Sequence, residues 1–274
     1  MGKSSRAKPT ATARQRLAAE RAAQRRRAQM RRRMLVAGGS VAVVVVIVVA
    51  FIVAKLASPA ATAQPAQADA QVARDVTTVP AATYNQVGDG DAEAPKAVSG
   101  LPELKSDGKL EVLYMGGEFC PFCAAERWAL AEALSRFGTL SGLSFIHSAP
   151  DDGDIATLTF LHAKYASTSV AFTPVEWFGE AADPNTPFEH VYLEQPTSAE
   201  VKLFDKYGGQ AIPFVDIGNR YIISSSQYEP TDLSGMTWSQ IAAAMRDPSS
   251  QVAKDIDGAA NEIAAAISAL VRSS

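Results

Sequence analysis

Cysteine and histidine are the scarce residues of this chain, with two of the first and three of the second in 274 residues. Zinc in a structural site takes four ligands, and no second CxxC or CxxH pair accompanies Cys120 and Cys123, so that class is excluded. His147, His162 and His190 are scattered, and a copper-delivery role would need one of them folded beside the two thiols. Asp151-Asp152-Gly153-Asp154 lacks the spaced ligands and closing glutamate of a calcium loop and reads as a turn. No metal is expected. There is no internal repeat. The basic residues show no aromatic interleaving of the kind that grips nucleic acid, and none is expected as a partner.

Charge is absent from Met34 to Ala54, a run dominated by Val, Ile and Ala. At 1.5 Å per residue it makes about 30 Å of helix, enough to cross a bilayer core. Residues 1–33 carry twelve Lys or Arg and one acid, Glu20, which leaves 14 basic and 28 acidic residues for the rest. The overall net charge of −3 hides a head of +11 and a remainder of −14. Arg25-Arg26-Arg27 and Arg31-Arg32-Arg33 stand directly before the apolar run, which places the N-terminus in the cytoplasm and the C-terminal domain outside. Anionic lipid heads are the partner that such a head suits. Ala61-Thr62-Ala63 would fit signal-peptide cleavage, but the apolar run and basic head are both long for one, and an uncleaved single-pass anchor in the cell membrane is the reading adopted.

Residues 55–80 are rich in Ala, Gln, Pro and Thr without an apolar period and read as a flexible linker. Residues 81–274 are long enough for one substantial core. Strand and helix signals alternate there, which predicts a layered α/β domain. Leu110–Met115 is the first strand and Ser135-Arg136-Phe137-Gly138 the end of the next helix, with Gly138 as its cap. Leu143–Ser148 alternates as a second strand. Thr197-Ser198-Ala199-Glu200 starts a helix that stops at Gly208-Gly209. Ile212–Ile217, Gly218-Asn219 and Arg220–Ile223 form a hairpin pattern. Thr237 and Gln240 fit a capping box, and a last helix runs from about Ser250.

The chemistry concentrates at Cys120-Pro121-Phe122-Cys123. A lone CxxC serves redox exchange, a static disulfide, or half of a metal site. Here an apolar strand and a Gly116-Gly117 turn precede it, and Ala124–Leu134, built of helix formers, comes after. The pair therefore opens a helix, where free N–H groups and the helix dipole favour a thiolate. Thiol exchange needs an exposed attacking thiol and a second one to resolve the mixed disulfide. Cys120 is assigned the first role and Cys123, one turn in, the second. Glu118 and Glu126 flank the motif as candidate proton shuttles, though each would also serve as an ordinary solvated side chain. Arg127 reads as a surface-pairing residue that could favour a thiolate. Phe119, Phe122 and Trp128 read as packing residues and an apolar rim suited to unfolded substrate segments.

Strand, CxxC, helix, strand, then Ile212-Pro213 opening a hairpin: this order resembles the thioredoxin fold. The resemblance implies that Pro213 is a cis proline facing the disulfide, with the Ile212 backbone offered to a substrate chain as an added strand. Pro121-Phe122 resembles the Cys-Pro-aromatic-Cys form of glutaredoxins and exported oxidases. Gly117–Trp128, Arg136-Phe137-Gly138 and Ile212-Pro213-Phe214 together resemble the membrane-anchored family catalogued as domain of unknown function 929. Phe119 stands where thioredoxin has Trp, the first strand holds no interior acid of the kind that accepts a proton beneath the pair, and the stretch from Cys123 to Pro213 implies an insertion around 150–195.

The resulting expectation is a membrane-anchored, extracytoplasmic thiol–disulfide oxidoreductase. Its redox group would be the Cys120–Cys123 disulfide, without further cofactor. Its partners would be exported cysteine-containing proteins and a membrane quinone-linked oxidase or membrane reductant carrier. The rival readings are a non-catalytic binding module with a structural disulfide, and copper delivery.

Overall fold

The computed structural model describes residues 65–273 of the chain. The basic head, the apolar run at 34–54 and the candidate cleavage point at Ala63 lie outside the described residues. Among those described, no helix is long and apolar enough to cross a membrane.

The architecture is mixed α/β. The sheet at its centre has seven strands, in the order β1 (Lys96–Ala97), β11 (Tyr221–Ile223), β10 (Phe214–Ile217), β3 (Lys109–Gly117), β8 (Val170–Ala182), β9 (His190–Tyr192), with β2 (Lys105–Ser106) also pairing β3. β3 runs antiparallel to β10 and parallel to β8. As a strand in mid-sheet it is buried on both faces, so its apolar run is continuous rather than alternating with polar residues. Leu110, Val112 and Tyr114 point to one side and Leu113 and Met115 to the other, as the two-residue period of a strand requires.

The first side carries the larger core. There the helices α1 (Pro65–Thr77), α3 (Pro121–Ser135), α5 (Trp238–Ala244) and α6 (Gln251–Ser273) contribute to one cluster with the sheet. α2 (Ala81–Val87) packs on α6. α3 is enclosed on every side, since every residue from Cys123 to Leu134 is buried. The second side carries a smaller cluster under the short helix α4 (Ser198–Leu203) and the wider turn Phe204–Gly208 that continues it. Both cysteines belong to this smaller cluster.

The expected hairpin is present. Gly218 and Asn219 both take positive φ, 66° and 56°, at the centre of a turn that the Arg220 N–H closes onto the Ile217 carbonyl at 3.1 Å, and because Ile217 pairs Tyr221 the connection holds Arg220 as well. The expected capping box of Thr237 with Gln240 forms, and the expected helix start at Thr197 forms a second one with Glu200. The last helix begins at Gln251.

Three readings need correction. Residues 65–77 are helix rather than flexible linker: Ala and Gln favour helix, and Val72 and Val76, four apart, share the buried face with Val79 beyond the end. Gly138 does not cap α3, which ends at Arg136. A Cβ at Gly138 would sit 2.5 Å from the Ala166 carbonyl oxygen, so the glycine permits a close crossing instead. Finally, the strand beside β3 comes from the stretch read as insertion. β5 (Ser144–His147) pairs only with β6 (Ala156–Thr159), and β4 (Thr139–Ser141) only with β7 (Lys164–Ala166), in two small side sheets. β8 takes the central place. Its Pro174 donates no ladder bond, and β9 pairs β8 only from Phe178 onward, so the missing N–H faces an edge.

Candidate active site

β3 ends in the turn that delivers the motif. Glu118 N–H donates to the Phe178 carbonyl at 2.8 Å and Ala149 N–H to the Phe119 carbonyl at 2.8 Å, so the turn is held from two sides. Cys120 is the N-cap of α3, with Pro121 at the first helical position, where a missing N–H costs nothing. Cys120 Sγ accepts the Cys123 N–H at 3.4 Å. Cys123 Sγ accepts the Gly117 N–H at 3.4 Å. Both cysteines are free thiols.

The two sulfurs differ in environment. Hydrogen bonding from Cys123, first through its thiol and then through its backbone N–H, outweighs burial and holds the Cys120 thiol below the ordinary range. Burial pushes the Cys123 thiol well up. Cys120 retains 5% of its surface and Cys123 none. Cys120 is thus far less open than its place at a helix start suggests. Phe119, Phe188 and Trp177 pack against the cluster that holds it, and Phe119 stacks on the His190 ring at 3.7 Å. Phe122 is the open side chain of the motif, 43% exposed.

The Ile212–Pro213 peptide is cis, and the Ile212 carbonyl oxygen lies 3.7 Å from Cys120 Sγ. Pro213 and Ile212 are therefore brought to the pair from ninety-odd residues away, as the resemblance implied. A protonated Cys120 donates to that carbonyl. An ionised one cannot, and the Cys123 thiol becomes its donor.

Neither of the two glutamates read as candidate shuttles hydrogen-bonds a sulfur directly. Glu118 accepts from Thr159 Oγ1 at 2.8 Å, and burial raises its pKa. Glu126, read as a helix-face residue, is fully buried. It accepts the Gln227 N–H at 3.2 Å, its Oε1 meets no hydrogen-bonding partner among the described residues, and burial pushes its pKa up to about 8.

Arg127 also departs from its surface reading. It is wholly buried and ion-paired with Glu176 of β8, Nε to Oε1 at 3.0 Å and Nη2 to Oε2 at 2.7 Å. Nη2 also donates to the Gly117 carbonyl at 2.8 Å. Its positive field lowers the pKa of both thiols. The guanidinium thus fixes the residue whose N–H holds Cys123. Glu176 and Tyr114 are site neighbours that sequence reasoning missed, and His190, considered there only as a copper ligand, stacks on Phe119. Tyr114 lies on the strand that leads into the motif, whereas the pairing of β8 with β3 and of β9 with β8 brings in Glu176 and His190. Trp128 lies in the main core and donates to the Ala156 carbonyl at 3.1 Å. Of the other histidines, His147 packs on Trp238 and His162 sits in a turn with φ of 69°.

Residues 97–269, well over half the chain, match the family model described as Domain of unknown function (DUF929). The chain belongs to that family. No curated protein and no solved structure matches it.

Proposed function

We propose that this chain is a thiol–disulfide oxidoreductase with a thioredoxin-like domain, anchored in the cell membrane by residues 34–54 and working on the extracytoplasmic side. The observation that carries the reading is the asymmetry of the two thiols at the head of α3: one capped and acidified, the other buried and held in reserve. The contact between Cys120 Sγ and the Ile212 carbonyl supports the fold assignment, as does a hairpin antiparallel to the strand that leads into the motif.

In the reducing direction the Cys120 thiolate attacks one sulfur of a substrate disulfide. The sulfur–sulfur bond breaks, one substrate sulfur leaves as thiolate, and a mixed disulfide forms. Cys123 then gives up its proton and attacks Cys120 Sγ, releasing the second substrate thiolate. The protein is left as disulfide, oxidised by two electrons, and the substrate reduced by two. The oxidising direction runs the same steps backward. A membrane quinone-linked oxidase or reductant carrier would reset the pair, and exported cysteine-containing proteins would be its substrates.

Trapping tests this. Cys123→Ala should accumulate mixed disulfides through Cys120, and Cys120→Ala should not. Absence of adducts in both would overturn the reading. The 5% exposure of Cys120 favours one rival, a binding module whose cysteines serve structure. Titration against glutathione separates them, since a structural bridge sits below about −300 mV and a catalytic pair above it.

A further inference from the structure

A cleft of about 380 Å³ opens beside the motif and shares Phe122 with it. Its walls come from the segment before β1, the loop after β11 and the start of α6. Asp91, Glu93, Glu229, Asp232 and Asp255 line it, and among the described residues no Lys, Arg or His does. Lys254 is the cation near Asp255, on the same helix. Negative charge alone would make only a solvated surface. Two further atoms distinguish this cleft. Gln227 is 3% exposed, and its Oε1 has no hydrogen-bond partner among the described residues. Asp255 is 2% exposed. Its Oδ1 accepts from Gln251 Nε2 at 2.9 Å, but its Oδ2 has no partner among the described residues. Both residues line the cleft. A buried acceptor without a donor costs free energy, so the site is built to receive donors.

The walls are braced. Glu93 N–H donates to the Gln227 carbonyl at 2.9 Å, Gln227 Nε2 donates back to the Glu93 carbonyl, and Gln251 Nε2 bridges Asp91 and Asp255. Among the described residues no group of three His, Cys, Asp or Glu is placed to hold a metal ion. The volume is also that of an organic group rather than an ion. A guanidinium fits the demands: a planar fork of N–H donors for the unpaired oxygens, positive charge for the carboxylates, and a flat face for the Phe122 ring.

We propose that this cleft is a substrate subsite that takes an arginine side chain of an extended polypeptide whose cysteine reacts at Cys120. The proposal rests on the thiol–disulfide reading for where the substrate chain lies. It gives the enzyme a preference for basic sequence around the reacting cysteine. Phe122, two residues past Cys120, is the wall common to both sites.

The test uses the full-length chain in detergent, reduced, and two synthetic peptides. Each holds one cysteine blocked as a glutathione mixed disulfide, flanked by arginines in one and by glutamates in the other. The arginine peptide should react about tenfold faster at low salt, the scale on which charge complementarity alters association. That ratio should shrink at high salt and in Asp232→Asn and Glu229→Gln, two exposed rim positions chosen because Asp255→Asn could disturb folding. Equal rates for the two peptides would overturn the subsite and leave the redox reading standing. If neither peptide reacts, the redox reading fails. Fluorescence anisotropy with cysteine-free versions then decides the subsite alone: binding of the arginine peptide that weakens in Asp232→Asn supports it, and no binding overturns it.

Discussion

Arg127 and Glu176 meet inside the protein with no solvent on either side chain, joined by two parallel N–H to oxygen contacts of 3.0 and 2.7 Å. The pair ties α3 to β8. It also anchors the turn before the motif, because Arg127 holds the Gly117 carbonyl while the Gly117 N–H holds Cys123 Sγ. Glu176→Gln would keep the shape and remove the charge. Breaking a buried pair leaves an uncompensated ion, which costs about 3 to 5 kcal/mol. Denaturant unfolding should show a loss of that order. The cation left beside the sulfurs should also lower the Cys120 pKa further, read from thiolate absorbance against pH. A stability change below about 1 kcal/mol would mean that the pair is solvated in solution.

Glu126 sets a pH dependence of stability. Its folded pKa, about 8, lies above the ordinary carboxyl value, so the folded state holds a proton that the unfolded state releases. Its contribution is complete below the ordinary value and is lost as pH rises toward 8. The slope is at most about 1.4 kcal/mol per pH unit for one such group. Asp257, raised to about 9 by burial and by Glu132 beside it, acts in the same sense. Thermal unfolding of Glu126→Gln should match the parent near pH 4.5 and exceed it at pH 8. Equal melting temperatures at both pH values would place a partner on Glu126 Oε1.

The reactivity of the two thiols should differ. Alkylation with iodoacetamide should modify Cys120 first, with a pH midpoint below that of a free thiol, and leave Cys123 untouched until the chain unfolds. Because Phe188 packs beside Phe119 over the cysteine cluster, Phe188→Ala should speed Cys120 alkylation severalfold. Mass spectrometry of the labelled peptide reads both. Faster labelling of Cys123 than of Cys120 would reverse the assigned roles.

Tyr114 and Gly116 are coupled by space. The Tyr114 hydroxyl is buried without a hydrogen-bond partner among the described residues, and a Cβ on Gly116 would fall 2.0 Å from it. Tyr114→Phe removes an unsatisfied group and should leave stability unchanged or raised. Gly116→Ala should cost about 1 to 3 kcal/mol by overpacking. The double variant should cost less than Gly116→Ala alone. Additive effects in equilibrium unfolding would show that the two side chains do not meet.

Local signals carried much of the fold. The strand into the motif, the helix after it, both capping boxes and the Gly218-Asn219 hairpin each depend on neighbours in the chain. β8 did not show itself, because Pro174 interrupts its pattern and its pairing partner, β3, lies far back in the sequence. α1 was hidden for another reason. Its composition resembles a tether, and only Val72 and Val76 betray a buried face. The charges on α3 were the least legible part of the site. Ala-rich helices with scattered Glu and Arg read as solvated surfaces, and this one is enclosed because Glu176, Gln227 and Asp257 arrive from distant segments. Contact between Ile212 and Cys120 was anticipated through resemblance, not through the residues themselves.

The register of β8 has one more result. Opposite Gly116 stands Glu176, and opposite Gly117 stands Phe178, so Trp177 is skipped. One residue of slippage here would send the carboxylate toward the sulfurs and the indole into the ionic contact. This stretch is therefore constrained in length as well as in side-chain type. Insertions or deletions within the family should spare it and collect instead in the connection between Asp183 and Glu189.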